Sequence, residues 1–220
     1  MKSLSAQITA CESCPRLRNH CLKIAQVKRR AYIDEPYWGK PITGFGDSDA
    51  RILIIGLAPA AHGANRTGRI FTGDRSGDWL FRALYRAGFA NQPTSVRADD
   101  GLRLQGVYIT CTVKCAPPEN RPTTAEIKRC SSFLFQELKN FEDSTLLIAL
   151  GNLAYTELWK TLEKQQGIKK TKPKFGHGKE ARLGNRLILM SFHPSQQNTF
   201  TGRLTEAMFD SIFTRARQIK

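Results

Sequence analysis

Four short apolar runs punctuate the chain: Ile52–Ile55, Val107–Thr110, Thr145–Leu150 and Leu187–Phe192. Each is aliphatic or β-branched and is bounded by Gly, Pro or polar residues. That is the pattern of a strand buried on both faces. Between the runs, apolar positions recur at helical spacing. Leu17, Cys21, Ile24 and Val27 mark one face of a basic helix over Arg16–Arg30. Gly77–Gly88 reads as a helix ended by its glycine. A third helix runs to about Phe141 from a cap at Thr123 or Thr124, with Glu126 in its first turn. Gly151 to about Leu162 and Leu204–Gln218 complete the set. Tyr32–Asp49, Phe89–Gly106 and the basic stretch Glu163–Arg182 are connections rich in turn or polar residues.

Strands alternating with helices predict an α/β fold. The expected architecture is a three-layer αβα sandwich around a central four-stranded parallel sheet. It forms one domain over residues 1–220, with a helical lead at about 8–33. In such a sheet a ligand lies beyond the carboxyl ends of the strands. The loops Gly56–Asp74, Cys111–Pro122 and His193–Arg203 all belong there. In the first, Gly56, Ala58, Pro59 and Ala60 keep side chains out of the way, so backbone N–H groups approach a ligand closely. His62 closes this small-residue turn. Phe71 adds a flat apolar face and Asp74 a charge beside it. The combination suits a planar ring with polar edges.

Charge narrows the partner. Lys and Arg number 34 against 19 Asp and Glu, a net charge of +15. Such an excess favours polyanions through phosphate neutralisation and counterion release. No apolar run approaches the length of a membrane span, and the first residues lack an apolar signal core. A soluble, cytoplasmic monomer with no membrane association is expected. The absence of a secretion signal also argues against a disulfide framework for the six cysteines. Cys11 and Cys14 form a C-x-x-C pair, and Cys115 and Cys130 follow about a hundred residues later. Four thiolates suit a structural zinc or an iron–sulfur cluster, and ligand type alone does not separate the two.

Three of these stretches carry a resemblance: Ile52–Asp74, Lys114–Pro122 (KCAPPENRP) and His193-Pro194-Ser195. In this order they resemble the iron–sulfur, type B (fifth-family) branch of the uracil-DNA glycosylase superfamily. The resemblance implies a monofunctional DNA glycosylase acting on DNA that contains deaminated bases, and a [4Fe-4S] cluster on Cys11, Cys14, Cys115 and Cys130. It implies that Phe71 stacks on the flipped base, that His193 stabilises the departing base oxygen, and that Asp74 takes over from an acid that relatives carry at the position of Ala58. Asn120 is a further candidate for base or water contact. Cys111 stands where related branches carry a base-reading Asn, so hypoxanthine and xanthine join uracil as expected substrates. Gln196 and Gln197 stand where relatives place an apolar wedge. Asn198 and Arg203 belong to the same loop, and Arg203 or the five lysines of 164–174 are placed to meet phosphate. Each residue also has a plainer role: Asp74 as a helix cap, Asn120 as a turn residue, Phe71 and His193 as packing. A non-catalytic, cluster-bearing DNA-binding protein is the reading from another class.

Overall fold

A computed structural model describes residues 2–219. Its centre is a six-stranded sheet built from β1 (Phe45–Gly46), β2 (Ile52–Gly56), β3 (Val107–Cys111), β4 (Leu146–Leu150), β5 (Glu180–Leu183) and β6 (Arg186–Ser191), in the order β1-β3-β2-β4-β6-β5. The inner four, β3-β2-β4-β6, are parallel throughout. These are the four strands expected from the apolar runs. Two antiparallel edge strands fall outside that expectation: β1 against β3, and β5 against β6. The sheet is therefore six-stranded and mixed, with the parallel four at its centre. β5 lies in the segment read from the sequence as a basic connection.

Every residue of the four parallel strands is buried, as a sheet covered on both faces requires. Alternate residues separate into two cores. Ile52, Ile54, Val107, Ile109, Ile148 and Leu189 face α4 (Arg75–Arg86) and α8 (Glu206–Gln218). Leu53, Ile55, Leu147, Ala149, Ile188 and Met190 face α5 (Thr124–Leu138) and α6 (Asn152–Gln166). Thr123 caps α5 and forms a reciprocal capping box with Glu126. The N-terminal lead is two helices, α1 (Lys2–Thr9) and α2 (Pro15–Val27), where the sequence pattern showed only the second. Two short helices, α3 (Ala64–Thr67) and α7 (Gln196–Phe200), lie inside the loops after β2 and β6. Among the described residues, no helix is long and apolar enough to cross a membrane.

The register puts Gly56 beside Cys111 and Leu150 beside Ser191, so the parallel strands finish together. β2 lies between β3 and β4, so the chain leaves it first to one side and later to the other. That reversal opens a crevice at the carboxyl ends of the strands.

Candidate active site

The loop after β2 is held rigid from within. Arg66 and Arg69 are both buried. Arg66 pairs with Glu35 and donates to the carbonyls of His62 (2.9 Å) and Gly73 (3.1 Å). Arg69 pairs with Asp100 at 2.8 Å and donates to Thr72 Oγ1 and Ser95 Oγ. These inward arginines were missed by the sequence reading. A charge beside Gly and Thr in a loop gives no sign of which way it faces.

At the end of this loop Phe71 takes φ = +53°, in the left-handed region that side chains avoid. Such a residue costs about 1–3 kcal/mol and persists only where its surroundings impose it. Its ring lies over Gly56, and a Cβ placed there would come within 3.1 Å of the ring. The other neighbour is His193, with ring centroids 6.0 Å apart and planes inclined at 32°. Gly77 explains how Phe71 is accommodated: a Cβ at that position would sit 1.8 Å from the Phe71 carbonyl oxygen. A glycine near the start of an amphipathic helix is the signal that would have revealed this close approach.

Asp74 is the N-cap of α4, its Oδ1 accepting from Gly77 N–H at 3.0 Å. The capping role weighed against a chemical one is therefore real. It leaves the second carboxylate oxygen free of the cap. That oxygen, Oδ2, lies against Gly63, where a Cβ would meet it at 2.1 Å. Burial raises the Asp74 carboxyl above its ordinary range, against the pull of the Gly77 and Ser76 N–H groups. The site thus holds a desolvated carboxylate at the edge of the crevice, close along the chain to the turn that sets Phe71.

His193 follows β6 and sits beside Gly151 at the end of β4, where a Cβ would lie 3.4 Å from that of His193. Burial pushes its imidazole down to about 4, so the ring is neutral at physiological pH. Asn198 Nδ2 donates to the His193 carbonyl at 2.8 Å, which ties the loop back on itself. Asn198 is thus a backbone clamp in this structure. Arg203 is exposed and its guanidinium lies 4.7 Å from the Phe192 ring. His62 Nδ1 is 2.9 Å from Tyr37 Oη. Ala58 and Ala61 pack against the cysteine-bearing core, while Pro59 is buried and Ala60 is half-buried.

Two more expected site residues follow β3 and its loop. Cys111 is buried, its thiol donates to Val113 O at 3.0 Å, and burial pushes it up to about 12. Asn120 is exposed at φ = +57° on the short turn Pro118–Asn120. The structure brings Phe71 and His193 together, with Asp74 three residues after Phe71 on the same loop.

Behind the crevice, Cys11, Cys14, Cys115 and Cys130 line one cavity of ≈ 70 Å³, with Arg18 and Arg129 beside them. Cys130 Sγ accepts from Lys114 N–H at 3.2 Å. Cys21 is buried behind them, 3.5 Å from Ala116 O, and does not line the cavity. Among the described residues, no three of His, Cys, Asp or Glu are gathered closely enough to hold a single ion. Four thiols around one cavity are a donor set that fits a metal centre, zinc or an iron–sulfur cluster alike.

Comparison with known proteins shows a family. The profile of the Uracil DNA glycosylase superfamily matches residues 43–217. The chain is 51% identical over 220 residues to the Type-5 uracil-DNA glycosylase of Mycobacterium leprae, covering 98% of this chain and 94% of that one. It is 45% identical to the Type-5 uracil-DNA glycosylase of Thermus thermophilus, covering 96% and 94%. A Type-4 uracil-DNA glycosylase of Thermotoga maritima is 30% identical, covering 70% and 69%. The similarity is thus greater to the type-5 group.

Proposed function

The chain belongs to the uracil DNA glycosylase superfamily, and we propose on that basis that it is a monofunctional glycosylase that excises uracil from DNA as a cytoplasmic monomer. The observation that carries the reading is the meeting of Phe71 and His193, 6.0 Å apart, with Asp74 on the same loop as Phe71.

Breaking an N-glycosidic bond leaves negative charge on the base and positive charge on the sugar. A base inside a duplex is out of reach, so the nucleotide is first extruded. Phe71 receives its flat face. A neutral His193 keeps an N–H to donate toward the base oxygen as charge develops there. Asp74 offers a carboxylate to the sugar cation or to the attacking water. Its partial desolvation strengthens both interactions, because water screens it less. Asn120, exposed on its turn, offers its amide to a base edge or to a water.

Cys111 supports a wider base range. Its S–H is donated to Val113 O, so it offers a base edge none of the paired donor and acceptor of an Asn amide. A site without that discriminating pair rejects fewer bases, so hypoxanthine and xanthine are substrates beside uracil. Cys11, Cys14, Cys115 and Cys130 would hold a [4Fe-4S] cluster. Its contribution is structural, fastening the N-terminal helices to the loop after β3 and to α5.

The test is excision from duplex oligonucleotides carrying one uracil, hypoxanthine or xanthine, with abasic sites revealed by alkali. Wild type is expected to cleave all three. Asp74→Ala is expected to lose cleavage and keep DNA binding. Asp74→Asn separates the two roles of this residue, since Asn caps a helix as well as Asp does. Cleavage surviving in Asp74→Asn would remove the carboxylate from the chemistry. Binding without cleavage by wild type would make the protein a cluster-bearing binding module instead.

A further inference from the structure

β6 ends at Ser191, where Gly151 N–H donates to Ser191 O at 2.8 Å. Beyond that point the chain leaves the sheet, and its backbone groups need other partners. Side chains supply them. Ser191 Oγ donates to Phe192 O at 2.9 Å, and Asn198 Nδ2 donates to His193 O at 2.8 Å. Phe192 N–H donates to His177 Nδ1 at 3.1 Å. His193 is thus tied on both flanks, and the tie on its N-terminal side is a second histidine.

His177 lies between α6 and β5, in the stretch that the sequence pattern offers only as a basic connection. The β5–β6 hairpin sets its place. Gly178 N–H donates to Met190 O at 2.8 Å, and Met190 N–H donates to Lys179 O at 2.9 Å. Gly178 takes φ = +74°, which turns the chain directly after the histidine. The other ring nitrogen of His177, Nε2, is 3.0 Å from Met208 O in α8. A carbonyl oxygen only accepts, so Nε2 carries the proton. Nδ1 is then the acceptor that Phe192 N–H requires, and the two contacts demand the same tautomer. Among the side chains only histidine carries an acceptor and a donor across one rigid ring. The ring also faces that of Phe192, with centroids 5.2 Å apart and planes inclined at 31°. Burial holds the His177 imidazole below its ordinary range, against the pull of the Met208 carbonyl, which keeps the neutral form that both bonds need.

We propose that His177 is a positioning residue for His193, fixing through Phe192 where the His193 imidazole stands beside Phe71. This rests on the glycosylase reading above. The chain of contacts is short: α8 holds His177, His177 holds Phe192 N–H, and His193 is the next residue. With both flanks tied, the imidazole keeps its place 6.0 Å from Phe71 before a base arrives, so little ordering is left for the reaction itself. Without His177 the backbone before His193 is free to turn, and the donor meant for the base oxygen loses its direction.

The experiment is single-turnover uracil excision by wild type, His177→Phe and His177→Asn, with duplex affinity measured alongside. Phe keeps a ring and loses both bonds. Asn carries an oxygen in place of Nδ1 and accepts from Phe192 N–H. His177→Phe is expected to lower the rate constant about tenfold or more and to leave the dissociation constant within about twofold. His177→Asn is expected to recover most of the rate constant. A residue that only stabilised the fold would lower the amplitude, as active protein is lost, and spare the rate constant. An unchanged rate constant in His177→Phe, or equal losses in the two variants, would overturn the proposal. A second measurement uses wild type alone and needs no cleavage: scalar coupling across the Phe192 N–H to His177 Nδ1 bond in isotope-labelled protein. The coupling is expected, and its absence would overturn the proposal even where His177→Phe fails to fold. If wild type leaves uracil in place, the glycosylase reading fails. The His193 ring resonances then decide the positioning separately, displaced in His177→Phe and restored in His177→Asn if it holds, and undisplaced in both if it does not.

Discussion

His193 shows how one residue carries both a structural cost and a chemical use. Its imidazole titrates near 4 because the crevice desolvates it, against about 6.5 for a free histidine. Between those values the unfolded chain binds a proton that the folded chain does not. Stability therefore falls as pH drops from about 6.5 towards 4, and this loss levels off below about 4. The same ring stays an uncharged donor over that whole window. The imidazole followed by NMR should thus show no titration near 6.5 and should protonate only well below it. A His193 titration at 6.5 would mean that the imidazole is solvated and misassigned, whereas an acid limb in kcat/KM alone belongs equally to the raised Asp74 carboxyl. At this scale the meeting of Phe71 with His193 was legible, because both stood in loops at strand ends. The direction of the Cys111 S–H was not, since a thiol bonded back to Val113 O looks the same in sequence as one facing a ligand. The plainer turn role weighed for Asn120 was legible too, and the structure sets it at φ = +57° on the turn Pro118–Asn120.

The joining of elements rests on one pair. Lys114, just past β3, and Glu137, on α5, are both buried. The Lys114 ammonium donates to Glu137 and to Thr110 Oγ1 at 2.6 Å each, and Thr110 donates to Glu137 at 2.9 Å. Every charge in the group is hydrogen-bonded, which makes its burial tolerable. Lys114 precedes Cys115, and its own N–H reaches Cys130. The pair therefore sets the loop after β3 against α5 where the cysteines converge. Removing one partner strands a charge and costs about 3–5 kcal/mol. Lys114→Met or Glu137→Leu alone should lower the denaturation midpoint sharply, and the double variant should recover part of it. If the double variant fell by the sum of the single losses, the two residues would be acting independently. Longer elements were legible here and short ones were not. The four parallel strands are continuous apolar runs, whereas β1 is two residues among glycines and prolines. β5 reads Glu-Ala-Arg-Leu within a basic stretch, and its alternation is too brief to stand out. The edge pairing itself supplies what its sequence lacks.

For the whole molecule, charge decides how DNA is met. The excess of +15 is spread over a surface from which the two loop arginines, Arg66 and Arg69, are already withdrawn. What remains is exposed Lys and Arg, including Lys169, Lys170 and Lys174 in the segment after α6. Affinity for undamaged duplex should fall about tenfold between 50 and 200 mM salt for every two phosphates contacted. A titration series across that range checks it, and a flat response would show that the charge serves solubility alone.

The four cysteines around one cavity also impose an order in time. Cys11 and Cys14 leave the ribosome some 115 residues before Cys130. At roughly 5–20 residues per second the first two thiols wait about 6–24 s for the last. Until then the nascent chain carries half of the cavity's thiols, open to oxidants, and α5 must be synthesised before any four-sulfur cavity exists. Closure of that cavity is therefore a late event of translation relative to its first thiol.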